Sequence, residues 1–187
     1  MTLAVMPSSL WARQSATPQI RPKPSDSTKN AHKGFIEQGT YKNSSIGLEF
    51  TPAKGLHFNQ PELKGTPGTT PLLILIQAQT DPGPVYGLTV FYADALDYYP
   101  EDQRNDSRYL EKIIRTNAAD GFQHVDGKAS EQVDGISFAR ADFIKGLVHE
   151  TVLITTHKAY EFVFIFTGAD FEVTGKLIAS TDVKLTQ

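Results

Sequence analysis

The stretch from residue 160 to residue 166, YEFVFIF, constrains the fold more than any other part of the chain. In an extended strand, successive side chains point to opposite faces of the sheet. One face would carry Tyr160, Phe162, Phe164 and Phe166, and the other would carry Glu161, Val163 and Ile165. Because both faces are apolar apart from one end, we expect this strand to be covered on both sides.

Two other segments have the spacing of helices. Between residues 106 and 119, apolar side chains recur with a helical period at Leu110, Ile113, Ile114 and Ala118. Asp106 or Ser107 can accept hydrogen bonds from the free amides of the first turn, and Gly121 can adopt the left-handed conformation that ends a helix. A second helix is predicted near residues 169–180, where one face would carry Phe171, Thr174, Leu177 and Ile178.

Runs of β-branched and aliphatic residues predict the strands of a single sheet. They lie near residues 39–43, 46–51, 72–79, 86–93, 136–144, 148–157 and 160–167. A strand buried on both faces and two separate helices cannot be accommodated in two layers. The sequence therefore predicts an α+β fold, in which a largely antiparallel β-sheet carries helices on both faces as a three-layer α/β/α sandwich.

The start of the chain differs in composition from the rest. Residues 1–16, MTLAVMPSSLWARQSA, resemble the tail of a truncated signal peptide, since a weakly apolar stretch runs into Ser15 and Ala16. They lack a basic segment before that stretch, so a disordered cytosolic N-terminus is the alternative. Residues 17–37 contain three prolines and few aliphatic side chains, which predicts a disordered linker. We expect a single domain over residues 38–187.

Composition excludes several classes of function. Of the 187 residues, 18 are basic and 21 are acidic, and these charges are interspersed, so nucleic acid is not an expected partner. No apolar run approaches the roughly 18 residues of a membrane span, which predicts no transmembrane segment. Cysteine is absent, which removes disulfides and thiolate chemistry. The leader favours a periplasmic or secreted location over a cytoplasmic one.

The sequence contains no constellation that identifies a reaction. It has no Gly-rich phosphate loop, no Gly-x-Ser-x-Gly elbow and no cysteine nucleophile, so we predict neither a catalytic residue nor a cofactor. The close histidine–acid pairs are His124 with Asp126 and His149 with Glu150. Each pair lacks the third and fourth ligands that a competent metal site needs. No metal site is therefore predicted.

The run VDGISFARADFIKGLVHETVLITTHKAYEFVFIFTGADFE has a distinctive order of elements. A turn glycine precedes a strand with a small-x-Arg-x-Asp pattern, and a second strand, a short turn, a Tyr-led apolar strand and a helix follow. The residues of this pattern are Asp134, Gly135, Ala139, Arg140, Asp142, Tyr160 and, at the start of the helix, Ala169. This order resembles the C-terminal half of PsbP-like and Mog-type domains, and the hairpin YKNSSIGLEFTP resembles their opening.

The resemblance covers residues 38–185 and implies an α/β sandwich domain. Leu56 stands where the family pattern has a tryptophan, and the single tryptophan, Trp11, lies in the leader. Known relatives act as photosystem accessory subunits or bind a small GTPase. With the missing catalytic motifs, this implies an exported or envelope-associated, non-enzymatic binding or accessory domain for an unidentified protein partner or small ligand. A small hydrolase-like enzyme and a carrier of an apolar small molecule are the alternatives.

The candidate binding site lies on neighbouring strands beside the aromatic face. A two-residue loop at residues 145–146 would place Asp142 opposite His149 on one face of the sheet. Arg140 would then lie opposite Thr151 on the same face. The predicted ligand- or partner-binding residues are Arg140, Asp142, His149, Thr151 and Tyr160. The alternative is a satisfied Arg–Asp–His network of structural value only, and we expect Asp142 to stabilise protonated His149.

Overall fold

The computed structural model describes residues 34–58, 76–79, 88–96 and 99–186, and for residues 76–79 and 88–95 it describes the backbone. The strands in these ranges are β1 (Phe35–Glu37), β2 (Thr40–Asn43), β3 (Leu48–Thr51), β4 (His57–Phe58), β5 (Ile76–Gln79), β6 (Leu88–Ala95), β7 (Gln123–Val125), β8 (Ser130–Val133), β9 (Ile136–Lys145), β10 (Val148–His157), β11 (Tyr160–Gly168) and β12 (Asp182–Leu185). The helices are α1 (Asp106–Ala119) and α2 (Phe171–Ala179), and a short 3-10 turn spans Glu101–Gln103. Neither α-helix has the length and apolar character needed to cross a membrane.

The described strands form two sheets in which neighbouring strands run antiparallel. The smaller sheet has the order β1-β2-β3-β12, and the larger has the order β4-β5-β6-β11-β10-β9-β7, with β8 also paired to β9. β11 lies between β6 and β10, so the aromatic strand is internal, as the sequence predicted. The prediction of a single sheet is wrong, because short strands from both ends of the domain pair with each other through β3 and β12.

β11 separates two hydrophobic cores. Its even-numbered side chains pack with the smaller sheet and with α2, through residues that include Phe50, Val183 and Ile178. Its odd-numbered apolar side chains pack against α1, which contributes Tyr109 and Ile113. Burying one such phenylalanine or isoleucine contributes about 2 kcal/mol, so this strand is a major source of stability. Over the described ranges, the structure is an α+β fold of mostly antiparallel strands with two α-helices.

The helix ends follow from local chemistry. Asn105 has an extended backbone, and its side chain accepts a hydrogen bond of 3.0 Å from the amide of Arg108, so it caps α1. The prediction of Asp106 or Ser107 as the cap is therefore wrong by one or two residues, and the Asp106 carboxylate accepts a hydrogen bond from Thr156 instead. Gly121 has a φ of 85° after the C-terminal end of α1, as predicted.

The predicted long elements are present, and the short strands were missed. The predicted helix over residues 106–119 has the observed bounds, and the predicted helix near residues 169–180 corresponds to α2. Residues 72–75 and 86–87 of two predicted strands lie outside the described residues. The strands without a prediction are β1, β4, β7, β8 and β12. β1 lies inside the predicted linker 17–37, because its backbone pairs with β2 and does not depend on an apolar pattern of its own.

The two hairpins of β9, β10 and β11 differ in how well their registers could be predicted. The β10–β11 register is as predicted, with Leu153 opposite Phe164. The β9–β10 register is shifted by two residues, since Lys145 pairs with Val148. Gly146 has a φ of 61° and takes the first loop position, where a tight turn of type II′ requires glycine, so Lys145 remains in the strand. A shift of two residues leaves every side chain on its predicted face.

Glu150 is a buried carboxyl group on β10, beneath α1. Only 4% of the residue is exposed, and its Oε1 accepts a hydrogen bond of 2.9 Å from Nδ2 of Asn117. Its partners across the sheet are Phe143 and Thr167, which carry no charge. Burial raises the pKa of Glu150 to about 7, and the hydrogen bond from Asn117 opposes this rise only in part.

The raised pKa predicts that a rise in pH from about 4.5 to about 7 weakens the fold through Glu150. Between the ordinary value of 4.5 and about 7, the folded chain holds a proton that the unfolded chain has lost. The free energy of unfolding therefore falls as pH rises through this window, by about 3 kcal/mol in total. Glu150→Gln keeps an acceptor for Asn117 and removes the titration, so it should be the more stable protein at about pH 8.

Urea unfolding of wild type and Glu150→Gln between about pH 5 and pH 8 measures this effect. Glu172→Gln is the matched control, because its carboxylate is exposed on α2. Glu150→Gln and Glu172→Gln should differ in the slope of unfolding free energy against pH. Identical slopes would contradict the raised pKa of Glu150.

Candidate functional site

Three of the five predicted site residues contact one another. Arg140 and Asp142 are two residues apart on β9, which puts their side chains on the same face. The Arg140 guanidinium donates to Asp142 through Nε, at 3.2 Å to Oδ1 and 3.1 Å to Oδ2, and through Nη2, at 3.0 Å to Oδ1. Oδ1 of Asp142 also accepts a hydrogen bond of 2.6 Å from the hydroxyl of Thr151 on β10.

Two residues that sequence reasoning did not assign to the site complete this network. Glu131 on β8 accepts a hydrogen bond of 2.5 Å from Nη1 of Arg140. Thr174 on α2 has its hydroxyl 3.0 Å from that of Thr151. Recognising β8 as a neighbour of β9 would have placed Glu131 near Arg140, but four residues with one apolar member give no clear strand signal. The Arg140 network, as we call Glu131, Arg140, Asp142, Thr151 and Thr174, joins three strands to α2.

Arg140 and Glu131 stabilise each other's ionised state. Burial lowers the pKa of Arg140, but the hydrogen bonds and charges of Asp142 and Glu131 outweigh it and leave the pKa above its ordinary value. Burial raises the pKa of Glu131, and contacts with Arg140 and Lys128 reverse this effect and leave its pKa below the ordinary value. The members of the Arg140 network carry one positive and two negative charges, and its hydroxyl that donates to a carboxylate, that of Thr151, is fully buried.

His149 lies apart from the Arg140 network. It pairs with Ile144 and Gly168 across the sheet, so it does not lie opposite Asp142 as predicted. Its ring contacts Phe171 at the start of α2 edge-on, with centroids 4.9 Å apart. Nδ1 of His149 is buried and has no hydrogen-bond partner in the part of the chain that the structure describes. The expected contact with Asp142 is therefore wrong, because Arg140 and Thr151 occupy that carboxylate.

Tyr160 lies in the hydrophobic core and away from the other predicted site residues. Only 3% of it is exposed, and it packs near Phe162, with centroids 6.1 Å apart. Arg140 pairs across the sheet with Leu153, which in turn pairs with Phe164. Tyr160 is four residues from Phe164 on β11, a distance of about 13 Å along the strand. The strand faces were predicted correctly here, but sharing a face does not bring residues into contact.

The five predicted residues differ in their access to solvent. Asp142, Thr151 and Tyr160 are buried, whereas Arg140 and His149 are partly exposed. Among the described residues, no three His, Asp or Glu side chains are placed to hold a metal ion. Binding at the five positions stays a prediction, and Arg140 and His149 are the members that a partner could touch.

The contacts predict that the Arg140 network stabilises the fold. Asp142→Asn leaves the guanidinium of Arg140 with one carboxylate instead of two, although the Arg140 side chain is only 10% exposed. We expect the free energy of unfolding to fall by about 2 kcal/mol, since Arg140 and the buried Thr151 hydroxyl lose a charged hydrogen-bond acceptor. Chemical denaturation measures the loss. Asp120→Asn, at an exposed position, is the control, and equal stability of the two variants would contradict the role.

The fold has a counterpart among solved structures. The solution structure of cyanobacterial PsbP (CyanoP) from Synechocystis sp. matches 80% of this chain and 96% of its own, with a TM-score of 0.52 and 14% identity. A crystal structure from Bacteroides thetaiotaomicron matches 81% of this chain and 48% of its own, with a TM-score of 0.42 and 14% identity. No family model and no curated protein matches the sequence.

These matches concern the fold. The likeness to CyanoP supports the PsbP-like half of the resemblance seen in the sequence, and nothing in the comparisons supports the Mog-type half. At 14% identity, a structural match carries no information about ligand or partner. The chain therefore has a PsbP-like fold.

Proposed function

We propose that this chain is a non-enzymatic accessory domain that acts outside the cytoplasm by contacting a protein partner. The observation that carries the proposal is the Arg140 network, in which Asp142 and Glu131 bind Arg140 and the Thr151 hydroxyl, which donates to Asp142, is fully buried. The PsbP-like fold is consistent with an accessory role. The leader-like residues 1–16 favour export.

The layers proposed for this domain are α1, then the larger sheet, then an outer layer formed by α2 and the smaller sheet. This order is supported by the two cores, because Tyr109 of α1 belongs to the same core as Val163 of β11, whereas Ile178 of α2 belongs to the core that contains Phe164. Alternate residues of one strand point to opposite faces, so the two helices would cover the larger sheet from opposite sides. The three-layer sandwich then differs from the prediction in having the smaller sheet beside α2.

The hydrolase alternative receives little support from the described residues. A cavity of about 240 Å³ beside α1 is lined by ionisable side chains, and two of its cations bind neighbouring side chains. Arg108 lies 3.4 Å from Glu111, and the Lys112 ammonium donates to the Tyr99 hydroxyl at 3.0 Å. Neither pair joins a nucleophile to a general base. Such an arrangement favours binding over catalysis.

The carrier alternative requires an unfilled apolar space along the aromatic face of β11. Phe162, Phe164 and Phe166 are at most 1% exposed and lie within one packed core. Burial of this kind is typical of a close-packed core and gives no support to an apolar ligand site among the described residues. The aromatic face therefore supports a structural role.

His149 is the predicted site residue best placed for a partner contact. It is partly exposed, and the neighbouring hairpin tip carries Leu147, which is 83% exposed. His149→Ala should weaken partner binding at least tenfold and lower the free energy of unfolding by only about 1 kcal/mol, the value of one edge-on aromatic contact. Affinity capture from the envelope fraction of the native organism identifies the partner, and titration of that partner gives the affinities.

His124→Ala is the matched control, since His124 is exposed and contacts the ring of Phe143. A His149→Ala protein that binds normally but unfolds much more easily would limit His149 to a structural role. Equal weakening by both substitutions would point to a general effect of histidine loss and would count against this surface.

Export is tested separately from partner binding. The open reading frame is expressed with the genomic sequence upstream of Met1, and the cells are separated into periplasmic and cytoplasmic fractions. We expect the mature domain in the periplasmic or secreted fraction, with the leader removed. Recovery of the uncleaved chain in the cytoplasm would contradict export.

A further inference from the structure

The cavity beside the first half of α1 has the chemistry of an anion site. It lies between the 3-10 turn Glu101–Gln103 and α1, and its volume is about 240 Å³. Its wall includes Tyr99 and Tyr109 together with three cations, Arg108, Lys112 and Arg115. None of these residues belongs to the Arg140 network, so the cavity is a separate feature of the molecule.

The wall of the cavity is positive on a chain that is negative overall. Arg108, Lys112 and Arg115 are spaced by four and three residues, which brings their side chains to one face of the helix. Among the residues that the structure describes, the wall has three cations against the carboxylates of Asp102 and Glu111, an excess of one positive charge. The whole chain has a net charge of −3, and the local excess therefore runs against the overall balance.

Lys112 is held in place by the two tyrosines. Its ammonium nitrogen lies 3.0 Å from the Tyr99 hydroxyl oxygen, to which it donates. The same nitrogen lies 4.7 Å from the ring centroid of Tyr99 and 5.1 Å from that of Tyr109, which are cation–π distances. The two rings meet edge-on, with centroids 5.6 Å apart. A cation fixed in this way loses little conformational entropy when an anion binds.

Two further groups in the wall lack partners among the described residues. Arg115 is exposed and forms no ion pair there, whereas Arg108 is paired with Glu111. The hydroxyl oxygen of Tyr109 is buried without a hydrogen-bond partner, and only 2% of Tyr109 is exposed. An unsatisfied buried hydroxyl is costly, and a ligand oxygen that reaches it would remove that cost.

We propose that this cavity binds the phosphate group of a small phosphate ester. Guanidinium groups bind phosphate through paired N–H donors, and Arg115 provides such a fork beside the fixed ammonium of Lys112. The volume is below that of sites for drug-sized ligands, which matches a phosphate with a small substituent. The same chemistry serves a soluble phosphate ester and a phospholipid headgroup. This site goes beyond the proposed accessory role and does not rest on it.

Titration of the full chain with glycerol 3-phosphate and with inorganic phosphate tests the site by calorimetry at constant ionic strength. Arg115→Gln should bind about tenfold more weakly than wild type, because a charge-assisted contact is lost. Asp102→Asn should bind more tightly, since it removes a negative charge from the wall. Lys184→Gln is the control, because Lys184 is an exposed cation on β12 and its loss changes the net charge equally.

Tyr109→Phe gives a second test that a folding defect cannot mimic. Removing an unsatisfied hydroxyl should leave thermal stability unchanged or raised, while phosphate affinity falls. Vesicles that contain phosphatidic acid distinguish the two ligand sources: Arg115-dependent vesicle binding that glycerol 3-phosphate inhibits identifies a headgroup site, and binding of the soluble ester alone identifies a small phosphate ester. Absence of saturable binding, or equal affinities of wild type, Arg115→Gln and Lys184→Gln, would overturn the proposal.

Discussion

The burial of β11 on both faces is the constraint on which the rest of the structure depends. Phe164, near the middle of the strand, has the ring centroids of Phe50 and Phe138 at 5.4 and 5.7 Å, so aromatic rings pack one face. On the other face, Val163 and Ile165 pack in the core that α1 closes. A strand with one polar face could border water, but this strand requires cover from both sides. The helices and the smaller sheet supply it.

A sheet that is buried on both faces must also accommodate the charges in its neighbouring strands. Asp142 on β9 and Glu150 on β10 are buried carboxyl groups whose charges are accommodated in two different ways. Asp142 accepts hydrogen bonds from Arg140 and Thr151, so its charge is compensated. Glu150 has the neutral amide of Asn117 as its hydrogen-bond donor, and burial raises its pKa to about 7. Buried carboxyl groups are either paired with a cation or become easier to protonate, and this sheet contains both cases.

These arrangements leave the chemistry that a partner could reach at the edges of the domain. The aromatic core is packed, and the charges of the Arg140 network are used within the fold. Polar groups without a partner among the described residues lie elsewhere: Nδ1 of His149 on β10, and the Tyr109 hydroxyl and Arg115 on α1.

The sequence by itself determined the long elements and their faces. The apolar run of β11 and the helical spacing in α1 are strong local signals, and they were sufficient to place an internal strand and a helix with the observed bounds. The contacts between elements were decided by tertiary structure. Gly146 moved the β9–β10 register by two residues, so Asp142 met Thr151 and not His149. Short strands such as β8 form because longer neighbours offer backbone partners, and Asn117 reaches Glu150 across 33 residues. Periodicity within one segment carries no information about such distant pairings.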